Sequence, residues 1–82
     1  MDHHEILVEI QSELDRARAK FPAWPDDKIH AAAILGEEAG ELLQAALDYT
    51  YTNGEFERMR EEAVQCGAMA IRFLLNLDKP GA

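Results

Sequence analysis

Between Glu5 and Phe21, apolar residues fall at Leu7, Ile10, Leu14, Ala17 and Phe21, alternately three and four apart, with Glu9, Glu13, Asp15, Arg16, Arg18 and Lys20 between them. This is the spacing of one face of an α-helix, so the pattern predicts an amphipathic first helix. The segment Phe21-Pro22-Ala23-Trp24-Pro25-Asp26-Asp27 ends it, because each proline removes a backbone donor and drives the residue before it out of helical conformation. Asp26 or Asp27 is placed to cap a second helix, which runs from about Lys28 to Tyr51. Alanine and leucine dominate there until Asn53-Gly54, a pair suited to left-handed backbone and a tight reversal.

The first half of the second helix carries little bulk. Ala31, Ala32, Ala33, Gly36, Ala39 and Gly40 leave room for a neighbouring backbone. A third helix, from roughly Gly54 to Leu77, repeats a heptad rhythm with Phe56, Met59, Ala63, Cys66, Ala70, Phe73 and Leu77, and Pro80-Gly81 ends it. Met59, Cys66 and Met69 read as core filling. The expectation is an all-α single domain over residues 1–82, a three-helix protomer whose last two helices form an antiparallel hairpin.

Size and charge narrow the partners. A chain of 82 residues buries only about 60–65% of the surface it exposes when unfolded. Its own core is therefore marginal, and a homodimer or homotetramer is expected. Sixteen acidic residues against eight basic ones give a net charge of −8, which argues against a nucleic-acid polymer or a membrane surface as partner. The apolar run Ile71–Leu77 contains Arg72 and falls far short of the roughly 20 residues that span a bilayer. The lone Cys66 has no internal disulfide partner, and Met-Asp-His-His-Glu lacks the basic region of a secretory signal, so a cytoplasmic location is expected. His3-His4 lacks the spacing of a helical metal pair.

Glutamates supply the candidate chemistry. On the second helix Glu37, Glu38 and Glu41 stand at i, i+1 and i+4, so Glu38 and Glu41 lie about 60° apart around the axis. Glu61, Glu62 and Gln65 repeat the spacing on the third helix, and an antiparallel hairpin brings the two sets toward each other. A solvated face is the plainest reading of such a cluster. Two features point instead to a cation. The positions after the cluster, Leu42, Leu43, Gln44 and Ala45, carry no lysine or arginine to relieve repulsion. Glu38 and Glu41 are also embedded among Ala39, Gly40, Leu42 and Leu43, where like charges raise one another's pKa unless a cation intervenes. A hard divalent ion such as Mg²⁺, or Mn²⁺, fits a set of carboxylates shared with substrate phosphates.

Glu37-Glu38-Ala39-Gly40-Glu41, twenty intervening residues and Glu62-Ala63-Val64-Gln65 resemble the Glu-Glu-x-x-Glu…Glu-x-x-Asp signature of the MazG-like all-α nucleoside triphosphate pyrophosphohydrolases. The resemblance extends from about Phe21 to Leu77. It implies a Mg²⁺-dependent enzyme that splits a (deoxy)nucleoside triphosphate between the α- and β-phosphates, releasing monophosphate and pyrophosphate. It also implies protomers that complete four-helix bundles as dimers or pairs of dimers. Carried onto this chain, Glu38, Glu41 and Glu62 are metal ligands, Gln65 takes the place of the final acidic ligand, and Glu37 orients the attacking water. Gln65 departs from the signature, since an amide oxygen can coordinate a hard cation but brings no charge and cannot act as a base.

Other residues have readings of their own. His30 lies seven residues before Glu37 and eleven before Glu41, on the same helical face, where it either contacts a phosphate or base or is a plain polar residue of the first turn. Trp24 either stacks on a nucleobase or plugs the small core. Arg72, seven residues beyond Gln65, meets a phosphate or pairs with a carboxylate. Asn76 follows one turn later as a further substrate contact, and Asp48 continues the face of Glu41. A di-iron bundle would need Glu-x-x-His pairs, whereas Gln44 and Gln65 stand at those positions. The alternatives to a pyrophosphohydrolase are a non-catalytic nucleotide- or metal-binding relative and a helical interaction module.

Overall fold

The computed structural model describes residues 1–79. They form three α-helices: α1 (His3–Lys20), α2 (Lys28–Tyr51) and α3 (Phe56–Asn76). The expected end of the third helix at Pro80-Gly81 lies outside the described residues. The bounds of α2 agree with the sequence reading, and Asp27 is its cap, accepting from the backbone N–H groups of Ile29 and His30 at 3.3 and 3.2 Å. α1 starts two residues earlier than its apolar rhythm because the Asp2 side chain accepts from the Glu5 N–H at 2.8 Å. α3 starts later than Gly54, because the Asn53-Gly54 turn is spent on closing α2. Asn53 is left-handed, with φ 61°, and the Gly54 N–H donates to the Asp48 carbonyl at 2.8 Å. A Cβ on Gly54 would lie 2.7 Å from the Asp48 Cβ and 2.8 Å from its carbonyl carbon, so this close approach requires glycine.

α3 is the shared neighbour of the other two helices. No Cα of α1 lies within 8 Å of one in α2 among the described residues, whereas both helices pack on α3. α2 runs antiparallel to α3, and its first residue, Lys28, donates from Nζ to the Leu77 carbonyl. α1 runs parallel to α3, with Glu9 paired to Arg60 near one end and the Ala17 carbonyl bonded to Arg72 near the other. The core is correspondingly thin: Leu14, Ala17, Ala68 and Met69, bordered by Ile10, Trp24, Ile34 and Leu35.

The heptad stripe of α3 is not this core. Phe56 is 64% exposed, and Met59, Cys66, Ala70 and Phe73 are half-buried. The α1 and α2 backbones stay more than 8 Å apart on either side of α3, which leaves the stripe partly open. Ala68, Met69 and Arg72 are the residues enclosed. In α1, Leu7 and Phe21 are likewise exposed, at opposite ends of the predicted face. The radius of gyration, 13.9 Å, exceeds the roughly 12 Å of a compact domain of this length.

Arg72 fastens the proline segment to this frame. Its guanidinium donates to the carbonyls of Ala17, Phe21 and Ala23 and lies 4.9 Å from the centroid of the Trp24 ring. A cation thereby satisfies the carbonyls of Phe21 and Ala23 just beyond α1 and gives a second donor to the Ala17 carbonyl, which already accepts from the Phe21 N–H at 2.8 Å. Arg72→Leu removes all three donors and is expected to cost about 2–3 kcal/mol. Gly54→Ala is expected to cost at least about 1 kcal/mol. Urea denaturation measures both, and wild-type midpoints would contradict these roles.

Candidate metal centre

α2 contributes Glu38 and Glu41, one turn apart, and α3 contributes Glu62 from across the hairpin. One carboxylate oxygen of each lies within 4.8 Å of the others. Glu38 and Glu62 are half-buried, and Glu41 is exposed. One oxygen of Glu38 and one of Glu62 are enclosed without any hydrogen-bond donor. Enclosed oxygens without donors are costly for ionised groups. Burial is the largest cause of a raised Glu38 pKa, with the charges of Glu41, Glu62, Glu13 and Glu37 adding to it. Burial also leads for Glu62, followed by the adjoining Glu41 carboxyl, while Arg58 partly offsets the rise. Two half-buried carboxylates, each with one oxygen short of a donor, beside the exposed carboxylate of Glu41 are oxygen ligands that could hold a hard cation.

The other residues singled out from sequence take several places around this trio. Glu37 is exposed and stands outside the set of three, though its charge reaches Glu38. Gln65 lines the groove between α1 and α3 with Glu9, Glu13, Arg16, Arg60 and Glu61. His30 is exposed in the first turn of α2, about 16 Å along the axis from Glu41 by helical rise. Trp24, Arg72 and Asn76 share a different cleft, near the ends of α1 and α3. Trp24 also packs against Leu14, Ala17, Ala68 and Met69, as the plug reading expects. Arg72 pairs with no carboxylate among the described residues; backbone carbonyls take its bonds. Asp48 leaves the glutamate face to accept from Arg58 at 2.9 Å and from Gln44 at 2.9 Å, and these bonds hold its pKa down, Gln44 foremost.

Two contributors had no motif to announce them. Glu13 belongs to α1 and is held by Arg16 at 2.6 Å, yet its charge reaches Glu38. Arg58 lies in the first turn of α3, four residues before Glu62, and that helical spacing was the available signal. No protein-family model, curated protein or solved structure matches this chain.

Both raised carboxyls bind protons more readily in the fold than in the unfolded chain. Their stabilising contribution is complete below the ordinary value of 4.5 and is lost as pH rises through the higher folded values. In EDTA, stability is therefore expected to fall as pH rises above the ordinary value of 4.5, with Glu38→Gln flattening the slope. Melting curves at fixed ionic strength test this, and equal slopes in the two proteins would remove Glu38 as the cause.

Proposed function

We propose that this chain is a Mg²⁺-dependent nucleoside triphosphate pyrophosphohydrolase that releases nucleoside monophosphate and pyrophosphate. The observation that carries the reading is the pair of enclosed, donor-free oxygens on Glu38 and Glu62 beside Glu41. Glu38, Glu41 and Glu62 would hold Mg²⁺ or Mn²⁺. The cation supplies neutralisation of phosphate oxygens and polarisation of the phosphoryl group. Glu37, exposed next to Glu38, is the group free to accept a proton from water or orient it. His30 shares the exposed side of α2 and is available to a phosphate or base. Gln65 completes the motif as a neutral amide. Its charge deficit favours a second reading, in which the groove binds metal and nucleotide without turnover.

The working unit in this proposal is a homodimer or a homotetramer. On the side of α2 away from α3 stand Ile29, Ala33, Gly36, Gly40, Leu43, Leu47 and Tyr51, all exposed and none charged. A helix apolar on both sides is a helix that is covered on both sides. A Cβ at Gly36 or Gly40 meets nothing within 4 Å, so packing inside the protomer requires neither glycine. The accessible surface, 5738 Å², exceeds by roughly 800 Å² what a compact monomer of this mass exposes. That excess equals about one partner's share of a standard interface. A second copy packed along this stripe would complete a four-helix bundle from α2 and α3 of each chain.

A panel of nucleoside triphosphates assayed for pyrophosphate, with and without Mg²⁺, tests the chemistry. Metal-dependent release of monophosphate and pyrophosphate is expected, with Glu38→Gln and Glu41→Gln lowering kcat/KM by on the order of a hundredfold. Release from no nucleotide with either metal would refute the catalytic reading, and a remaining Mg²⁺-dependent rise in Tm would leave the binding one. Gln65→Asp is expected to tighten Mg²⁺ in calorimetric titration, whereas equal affinity would place residue 65 outside the coordination sphere. Light scattering is expected to show a dimer or tetramer at micromolar concentration, and the double change Leu43→Glu, Leu47→Glu is expected to dissociate it. A folded wild-type monomer would contradict the assembly.

A further inference from the structure

The basic residues of this acidic chain are distributed unevenly. Arg16 pairs with Glu13, Arg58 with Asp48, and Arg60 with Glu9 and Glu57. Lys28 donates to the Leu77 carbonyl, and Lys20 lies over the Phe21 ring. The remaining three, Arg18, Arg72 and Lys79, line one cleft of about 340 Å³ with Pro22, Trp24, Leu75 and Asn76. Among the described residues, none of the three pairs with a carboxylate and no carboxylate lines the cleft. In a chain with twice as many acidic as basic residues, a concave site whose charged residues are all cations is an exception that calls for a counter-charge.

Arg72 makes this cleft a built one. Only 5% of the residue is exposed. Its three bonds to Ala17, Phe21 and Ala23 and its seat against Trp24 restrain the guanidinium. A guanidinium has five N–H donors; the three bonds use both Nη2 hydrogens and one on Nη1, so Nε–H and one Nη1–H remain as separate donors. Arg18 lies close enough for its charge to act on Arg72, and burial opposes the charged form of Arg72 still more strongly. Asn76 is anchored through its Nδ2 donor on the Arg72 carbonyl at 2.8 Å. Arg18, exposed and paired with no carboxylate among the described residues, has a guanidinium fork, the geometry that favours tetrahedral and planar oxyanions over halides, and the volume is at the small end of ligand sites.

We infer that the cleft of Arg18, Arg72, Asn76 and Lys79 binds a phosphate group, at a site separate from the carboxylates. Arg72 stands ten residues beyond Glu62 on α3, about 15 Å along the axis, so one phosphate cannot touch both. The group comes either from free orthophosphate or from the far end of a bound nucleotide, and both sources present the same dianionic oxygens.

Metal-free protein in EDTA, titrated with inorganic phosphate against chloride of equal ionic strength, provides the test. Phosphate at ten times its Kd is expected to raise Tm by roughly 5–10 °C. Arg18→Glu and Lys79→Glu, both exposed positions, are expected to weaken the phosphate Kd at least about tenfold while leaving the phosphate-free Tm near wild type. Glu41→Gln is expected to leave the phosphate Kd unchanged, which separates this result from success or failure of the metal-centre reading. A non-hydrolysable triphosphate analogue identifies the source. Parallel loss of its affinity in Arg18→Glu assigns the site to the nucleotide's own phosphates, and unchanged affinity assigns it to free phosphate. A phosphate effect no greater than that of chloride, or the same phosphate Kd in wild type, Arg18→Glu and Lys79→Glu, would overturn the inference.

Discussion

α3 is the helix against which both α1 and α2 pack, and the rest of the molecule follows from that sharing. The contact with α1 is close because α3 presents Gly67 and Ala68 there. A Cβ at Gly67 would stand 3.1 Å from the Ile10 Cδ1, and Ala68 has no exposed surface. The contact with α2 is made through Ala31, Ala45 and the half-buried Ile34, Leu35 and Leu42. A helix flanked on two sides cannot also enclose a third. The heptad stripe of α3 is left partly open, and the outer face of α2 stays apolar and uncovered. The same arrangement aims Glu38 and Glu62 at each other across the α2/α3 seam, where burial and mutual repulsion act together.

Charge is sorted along α3. Near its start Arg60 and Arg58 are neutralised by Glu9, Glu57 and Asp48. Within about one turn, Glu62 enters a seam where anions outnumber cations. Near its end Arg72 is held among carbonyls and beside Arg18. A chain of net charge −8 thereby carries an uncompensated acidic centre and an uncompensated basic cleft, about three turns apart. Such separation opposes collapse of the two sets into ion pairs and leaves each with unmet electrostatic demand. The two candidate sites therefore carry charge of opposite sign.

Much of the local structure was legible. Helical periodicity, two prolines and the Asn53-Gly54 pair placed three helices within a few residues of their bounds, since capping and turn chemistry act over short stretches of chain. Glu38, Glu41 and Glu62 were legible as a set because i, i+3 spacing on one helix and an antiparallel hairpin leave few arrangements. Arg72 was legible as a special residue but not in its role. Periodicity places it on a face, and only the folded chain reveals that the face meets the carbonyls of Ala17, Phe21 and Ala23. Glu13 and Arg58 carried no motif, and their influence on Glu38 and Glu62 exists because separate segments come together.

By itself, then, the sequence determined the all-α class, the α2/α3 hairpin, the acidic balance and the three converging glutamates. These are consequences of backbone preference and of spacing along one or two helices. Tertiary structure decided which of the apolar residues are enclosed: Leu14, Ala17 and Met69, expected from the sequence, together with Ala68, rather than the α3 heptad stripe. It also decided which oxygens lack donors and which cations lack partners. The physical reason is that burial and electrostatic compensation depend on what lies opposite each side chain. That opposite surface belongs to segments tens of residues away, whose approach is governed by packing rather than by local pattern.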